Sequence, residues 1–322
     1  MATSKATADE PMGGAVWPHR LSWATVGATV FLLFVGGLVT SLRVGLAVPD
    51  WPTTFGYNMF LYPWSKMVGG VFYEHSHRLI ASAVGLLTVL LAVSLWLWER
   101  RRWVRWLGAA AILLVVVQGI IGGLRVILLE VAFAILHACL AQAFLGLAVS
   151  LALFTSAGWP ARPNWLPRRE AVSLQALCLS VALVIYIQGI LGALVRHTGA
   201  MLMPHLFVAG LMVGLVFWLS ARVWHHRFDH PELWRSGLLL GALVLAQILL
   251  GSSSYLGAFW AWLPRPLLVL LRTFHMVTGV VTFAAAIVLS LRCYRLSPRV
   301  DLLNAQGAVL APAPGASPRT AA

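Results

Sequence analysis

Four histidines, His77, His137, His205 and His275, lie inside long apolar runs, one in each of four alternate runs. An imidazole within a bilayer is costly to leave unpaired, so each is a candidate ligand or proton carrier. They share a depth. His205 lies 17 residues before Arg222 and His275 lies 17 before Arg292, about 25 Å along a helix. His77 and His137 fall at similar or slightly shallower positions. Zinc usually draws four ligands, or three plus water, often with Cys or carboxylate among them. Haem iron needs only one or two axial ligands and an apolar slot, which four-helix bundles supply. Haem is therefore the reading that fits best, with His77 paired to His137 and His205 to His275. Copper and a proton-moving transporter stay open as alternatives.

The stretch Tyr73-Glu74-His75-Ser76-His77-Arg78 is the densest in chemistry. Glu74 and His77 are three apart and share a helix face. A carboxylate one turn from an axial ligand suits proton transfer or water orientation, so Glu74 is the candidate catalytic residue. His75 is expected to face a loop. Three residues before His205 and His275 stand Leu202 and Arg272, so the two histidine pairs are expected to do different jobs. Haem propionates are anionic, and Arg43, Arg78, Arg125, Arg196 and Arg272 near the same helix ends are candidate partners; as bare membrane residues they would be interfacial cations. No apolar run carries the widely spaced histidine pair that stacks two haems across the membrane in quinol-oxidising b-type cytochromes.

These residues must be held by membrane helices. Of 322 residues 60% are apolar and 10% charged, and mean hydropathy is +0.85. That excludes a soluble enzyme, a secreted disulfide scaffold and a disordered chain. The expected class is an all-α polytopic membrane protein, with eight transmembrane helices as two pseudo-symmetric four-helix bundles. The runs are 21–40, 79–98, 106–124, 132–154, 172–194, 203–222, 236–256 and 268–291, the second extending back towards Lys66. Gln118-Gly119-Ile120-Ile121-Gly122 before Arg125 repeats as Gln188-Gly189-Ile190-Leu191-Gly192 before Arg196; Gln247 and Gly251 keep the same spacing, and Gly36-Gly37 precede Arg43. Odd runs thus carry glycine and even runs carry histidine, as a duplicated unit would. Small residues let helices approach closely and leave room beside a flat macrocycle.

The net charge of +13 is not read as a nucleic-acid footprint, because the cations sit in short clusters between apolar runs. Sixteen of the 23 Lys and Arg fall on one side, including Lys5, Arg100–Arg102, Arg162, Arg222, Arg299 and Arg319. That side is expected to be cytoplasmic and to hold both termini. The expected divisions are a cytoplasmic segment 1–20, an N-terminal bundle 21–154, a linker 155–171, a C-terminal bundle 172–293 and a disordered tail 294–322. Cys139, Cys178 and Cys293 are far apart in sequence, so neither a disulfide nor a zinc site is expected. Met1–Arg20 shows no signal-peptide pattern.

Two motifs together carry a family resemblance. Gly36-Gly37-Leu38-Val39-Thr40 through Arg43, followed by Gly45-Leu46-Ala47-Val48-Pro49-Asp50-Trp51-Pro52, resembles the first helix and outer loop of the haem A synthases. Glu74-x-x-His77-Arg78 is similar to their E-x-x-H-R motif. The resemblance extends over roughly residues 21–293. It implies oxidation of the C8 methyl group of haem O to a formyl group, giving haem A for cytochrome c oxidase. It further implies haem O held near His77 and His137, with Arg78, Arg43 and Arg125 beside it and Glu74 in catalysis. Haem b would be the cofactor, ligated by His205 and His275 with Arg196 and Arg272 nearby. The implied setting is the inner membrane, with the haem sites towards its outer face. A haem O synthase and an electron-transfer protein are the implied partners alongside the bilayer, and homo-oligomerisation is left open. Some members carry a cysteine pair in the outer loops; the 41–78 and 195–202 loops here hold none. The alternative function is a non-catalytic bis-histidine haem carrier or electron-transfer cytochrome.

Overall fold

The computed structural model describes residues 16–159 and 165–297. Among them are eight α-helices and two short 3-10 turns, with no strand: α1 Val16–Ser41, α2 Gly69–Trp98, α3 Arg102–Leu128, α4 Val131–Phe154, α5 Arg168–Thr198, α6 Leu202–Trp224, α7 Pro231–Phe259 and α8 Arg265–Arg295. Each is long and apolar enough to cross a membrane, and the chain reads as a multi-pass membrane protein. In hydrocarbon every backbone N–H must be satisfied within its own segment, which leaves helices as the form these apolar runs can take. Buried hydroxyls follow the same rule. Thr25 donates to Leu21 O at 2.8 Å and Thr29 to Thr25 O at 2.6 Å, each one turn back on α1.

The eight expected runs all occur, and each helix extends past its apolar run. α2 starts ten residues earlier than the run beginning at 79, so Tyr73–Arg78 is helical. α1 starts at Val16 and α5 at Arg168, inside what the sequence assigned to flanking segments. The expectations for residues 1–15, 160–164 and 298–322, including Lys5, Arg162, Arg299, Arg319 and most of the tail, lie outside the described residues. Helix ends follow local chemistry. Prolines open α7 and α8, where a missing N–H costs nothing. Gly199 closes α5 at φ +74°, a left-handed conformation glycine adopts freely.

Neighbouring helices in sequence pack together throughout, and α1 also meets α4 while α5 also meets α8. α1, α4, α5 and α8 form a central seam, with α8 packed on α1 and α4 and α4 packed on α5. One apolar core joins α5 to α8 and includes Leu174, Leu219, Leu240 and Leu289. A second, with Val84, Leu91, Leu95 and Leu151, joins α2, α3 and α4. The third fills the seam with Val26, Leu145, Val280 and Ala284. Lipid offers no hydrophobic contrast to such side chains, so close packing carries the contacts. At the seam Gly146 lies against Phe283, where a Cβ would come 3.1 Å from the ring. Within the α5–α8 core Cys178 and Cys293 meet, with sulfurs 3.2 Å apart and both side chains buried. These two are close in space although 115 positions apart in the chain, and all three cysteines are free thiols.

Candidate functional site

Each of the four histidines lies within about three turns of the start of its helix. Each ring leans on a glycine of the preceding helix. A Cβ at Gly36 would lie 2.9 Å from His77 Cε1, at Gly122 3.2 Å from His137, at Gly192 3.3 Å from His205 and at Gly251 2.9 Å from His275. The Cε1–Nδ1 edge faces the glycine in every case. The spaced glycines of the sequence are thus the floor on which the imidazoles sit.

Glutamines one turn below the glycines complete the pattern. Gln118 Nε2 donates to His137 O at 3.1 Å and Gln247 Nε2 to His275 O at 2.8 Å. Gln188 Nε2 lies 3.4 Å from His205 Nε2. The equivalent position on α1 is Leu32, so the fourth copy lacks the amide.

One expected pair is close in space. His205 and His275 have centroids 6.4 Å apart at 82°. Two imidazoles bound on opposite sides of one metal ion, with bonds of about 2 Å each, would put their centroids about 6 Å apart. His137 is near enough to act electrostatically on His77. Nδ1 of all four rings is buried against its glycine without a hydrogen-bond partner among the described residues. Four half-buried imidazoles on glycine floors among apolar helices, two of them facing each other, are a donor set suited to haem. Among the described residues no group of three or more His, Cys, Asp and Glu could hold a bare metal ion.

Glu74 is buried, and both of its oxygens are engaged. Oε2 accepts the Val48 N–H at 3.0 Å, and Oε1 accepts Arg78 Nη2 at 3.0 Å. Arg78 spends the rest of its guanidinium on the loop between α1 and α2. Its Nη1 donates to Asp50 O at 2.7 Å and Thr53 O at 3.1 Å, and its Nη2 to Val48 O at 3.1 Å. His75 does face that loop, with Nδ1 3.1 Å from Thr54 Oγ1 and its ring 5.1 Å from the Tyr62 ring. Asp50 shapes the loop from within, accepting from Thr53 Oγ1 at 2.5 Å, Phe55 N at 2.7 Å and Gly56 N at 2.8 Å. Burial pushes its carboxyl upwards, but these hydrogen bonds outweigh it and hold Asp50 below the usual carboxylate range. Trp51 lays its ring over Gly123 of α3. The loop is therefore tied down at both motifs, with Glu74 beneath it.

The other arginines divide. Arg43, Arg125 and Arg196 line one cavity together with His197, whereas Arg78 is committed to the loop and Arg272 is exposed. Sequence reasoning missed the contributions of Val48, Thr54, Tyr62 and Gly123, which reach the site only through tertiary contacts.

A family model described as cytochrome oxidase assembly protein matches residues 19–313. The heme A synthase of Shouchella clausii (strain KSM-K16) is 33% identical over 107 residues, which is 32% of this chain and 34% of that protein. The matched region thus spans about a third of the length of that relative.

Proposed function

The chain belongs to the cytochrome oxidase assembly protein family, whose model covers residues 19–313, and from that premise we propose that it is a haem A synthase. It would convert haem O to haem A by oxidising the C8 methyl group to a formyl group, for cytochrome c oxidase biogenesis. The observation that carries this reading is the fourfold histidine-on-glycine contact, combined with a buried carboxylate, Glu74, one helical turn before His77 and without a counterpart before His205 or His275. A chain that only stored haem would need no such asymmetry.

In this reading α1–α4 and α5–α8 are two four-helix units. The first holds the substrate haem O between His77 and His137. The second holds haem b between His205 and His275, where that group would supply an electron-accepting iron centre. Each of two hydroxylations of the substrate methyl carbon would replace a C–H by a C–OH with oxygen from water, releasing two protons to solvent and two electrons to the electron-transfer protein; the resulting hydrate would lose water to leave the formyl group. Glu74 keeps a second lone pair on each oxygen beyond its bonds to Val48 and Arg78, so it can take a proton at Oε1 or Oε2 or orient water there. Arg78 holds the 48–53 backbone and so fixes the loop above the substrate. That loop also packs on α3 through Trp51 on Gly123.

We place the protein in the cytoplasmic membrane with both termini inside and the haem sites towards the outer face, which is what the Lys and Arg distribution supports. A haem O synthase would supply the substrate and an electron-transfer protein would complete the oxidation. The test is extraction and mass analysis of haem after co-expression with a haem O source. Formyl or hydroxylated haem from the native chain, lost in Glu74→Ala while haem b is retained, is the expected result. Unchanged haem O from the native chain would sink the proposal in favour of a carrier.

A further inference from the structure

α1, α3 and α5 end around one partly open cavity of about 250 Å³, lined among others by Arg43, Gly45, Arg125, Arg196 and His197. Arg43 and Arg125 belong to the first four helices and their connections, and Arg196 and His197 to the second four. The cavity therefore straddles the two sets. Its volume is that of several water molecules, enough for more than one carboxylate group.

The guanidinium groups are positioned but not neutralised. Arg196 reaches from α5 to α1 and donates to Gly37 O at 3.0 Å and Ser41 Oγ at 2.6 Å. Arg125 presses its Nη2 against Gly45, where a Cβ would come within 2.6 Å, so glycine at 45 makes room for it. Among the described residues no carboxylate lies within 4.0 Å of Arg43, Arg125 or Arg196. The acid that acts on Arg125 is Glu74, which is already paired with Arg78. Arg43 is exposed and Arg125 and Arg196 are half-buried; like charges gathered around one partly open cavity repel, and an anion received between them relieves that cost. Planar guanidinium groups match carboxylates in particular.

We propose that this cavity is a carboxylate site shared by the two helix sets, and that it takes the propionate groups of a bound porphyrin. A ligand seated there is gripped at once by Arg43 and Arg125 and by Arg196, so occupancy of one histidine pair is felt by the other set of helices. The identity of the ligand rests on the function proposed above. The assignment of Arg196 to the second haem alone gives way to a shared role, and Arg78 and Arg272 stand outside the site.

The test uses the full chain in detergent with metal-free protoporphyrin IX and its dimethyl ester, followed by porphyrin fluorescence. Without iron neither probe is ligated by histidine, so the readout is independent of the haem pairs. The acid is expected to bind at least about tenfold more tightly than the ester, as charge-assisted hydrogen bonds would give. Arg43→Gln and Arg125→Gln should each reduce that preference, and Arg196→Gln should abolish it. Because Arg196 also ties α5 to α1, the first two variants carry the test if the third fails to fold. Arg227→Gln, at the other end of α6, should leave it intact. Millimolar inorganic phosphate should compete with the acid and not with the ester. Equal binding of acid and ester, or a preference that survives the first two variants, overturns the proposal. Phosphate binding without any acid preference reassigns the cavity to phosphate and overturns it too. Loss of a bis-histidine spectrum in the iron-loaded protein would instead count against the haem reading and leave this site standing.

Discussion

Gly36 of α1 and His77 of α2 are in contact, and a methyl group added at residue 36 would come 2.9 Å from His77 Cε1. Gly251 and His275 stand in the same relation at 2.9 Å. Gly36→Ala and Gly251→Ala must therefore move the ring or the helix, at a cost of about 1–3 kcal/mol for overpacking. Each is expected to lower axial haem ligation in its own half, read as lost Soret absorbance per chain. Gly119→Ala is the control from the same motif, because its Cβ would meet nothing within 4 Å. An unaltered spectrum in both test variants would show that the rings have slack.

Arg78 holds three loop carbonyls and Glu74 through a planar fork. Arg78→Lys keeps the charge but cannot reproduce that geometry. The ammonium can still neutralise Glu74, but loop carbonyls at residues 48, 50 and 53 lose donors, at a cost of about 1–3 kcal/mol for each left unsatisfied. Faster proteolysis within 42–68 and faster hydrogen exchange at the Val48 amide are expected, with the remaining helices unchanged. Native protection at Val48 would mean that the loop is held by Trp51 and Asp50 alone.

The loop has its own acid sensitivity through Asp50. Its folded-state carboxyl is lowered by the bonds from Gly56, Thr53 and Phe55, against the opposing effect of burial. A lowered carboxyl contributes stability that is complete above the unfolded value near pH 4 and is lost as pH falls through the folded value. Hydrogen exchange at the Phe55 and Gly56 amides should rise below about pH 4 in the native chain. In Asp50→Asn it should be faster at neutral pH and flat across that window. An identical pH profile in both would remove Asp50 from the account of loop closure.

The spans were legible because a bilayer demands about 20 apolar residues in succession, a signal that survives without any knowledge of contacts. Helix ends were less so. Tyr73–Arg78 is too polar to count as span, yet the expected extension of the second run towards Lys66 holds as far as Gly69, and Glu74, His75 and Arg78 find their partners on the loop above. The histidine and glycine registers were visible as a repeat, although only the structure shows that ring and glycine touch. Trp51 on Gly123, Val48 on Glu74 and Thr54 on His75 are contacts without periodicity, and no local pattern announces them. The gathering of Arg43, Arg125 and Arg196 around one cavity was hidden for the same reason, since the sequence sorted them by half.

Cys178 and Cys293 offer a direct check on how α5 meets α8. They lie 115 positions apart in the chain, with sulfurs at 3.2 Å. A membrane-permeant disulfide-forming oxidant such as diamide, which takes up the two hydrogens released, should join them in the native chain. Peptide mapping should show a Cys178–Cys293 cross-link that is absent in Cys178→Ser, with Cys139 left alkylatable. Free thiols at both positions after oxidation of folded protein would contradict the α5–α8 packing.

The two histidine pairs should separate under mutation. Glu74 stands three residues before His77, whereas Leu202 and Arg272 occupy the matching places before His205 and His275. With the acid confined to the first pair, turnover belongs there and the second pair keeps its haem. His205→Ala should therefore lose most of the haem b that copurifies with the native chain, measured as pyridine haemochrome per protein. His77→Ala should retain that haem b and lose conversion of haem O, because the carboxylate remains but the substrate iron has lost a ligand. Arg78 and the 42–68 loop are untouched by either change, so loop protection serves as the folding control for both. If His77→Ala sheds the resident haem while His205→Ala keeps it, the roles of the two halves are exchanged, and Glu74 sits beside the cofactor rather than the substrate.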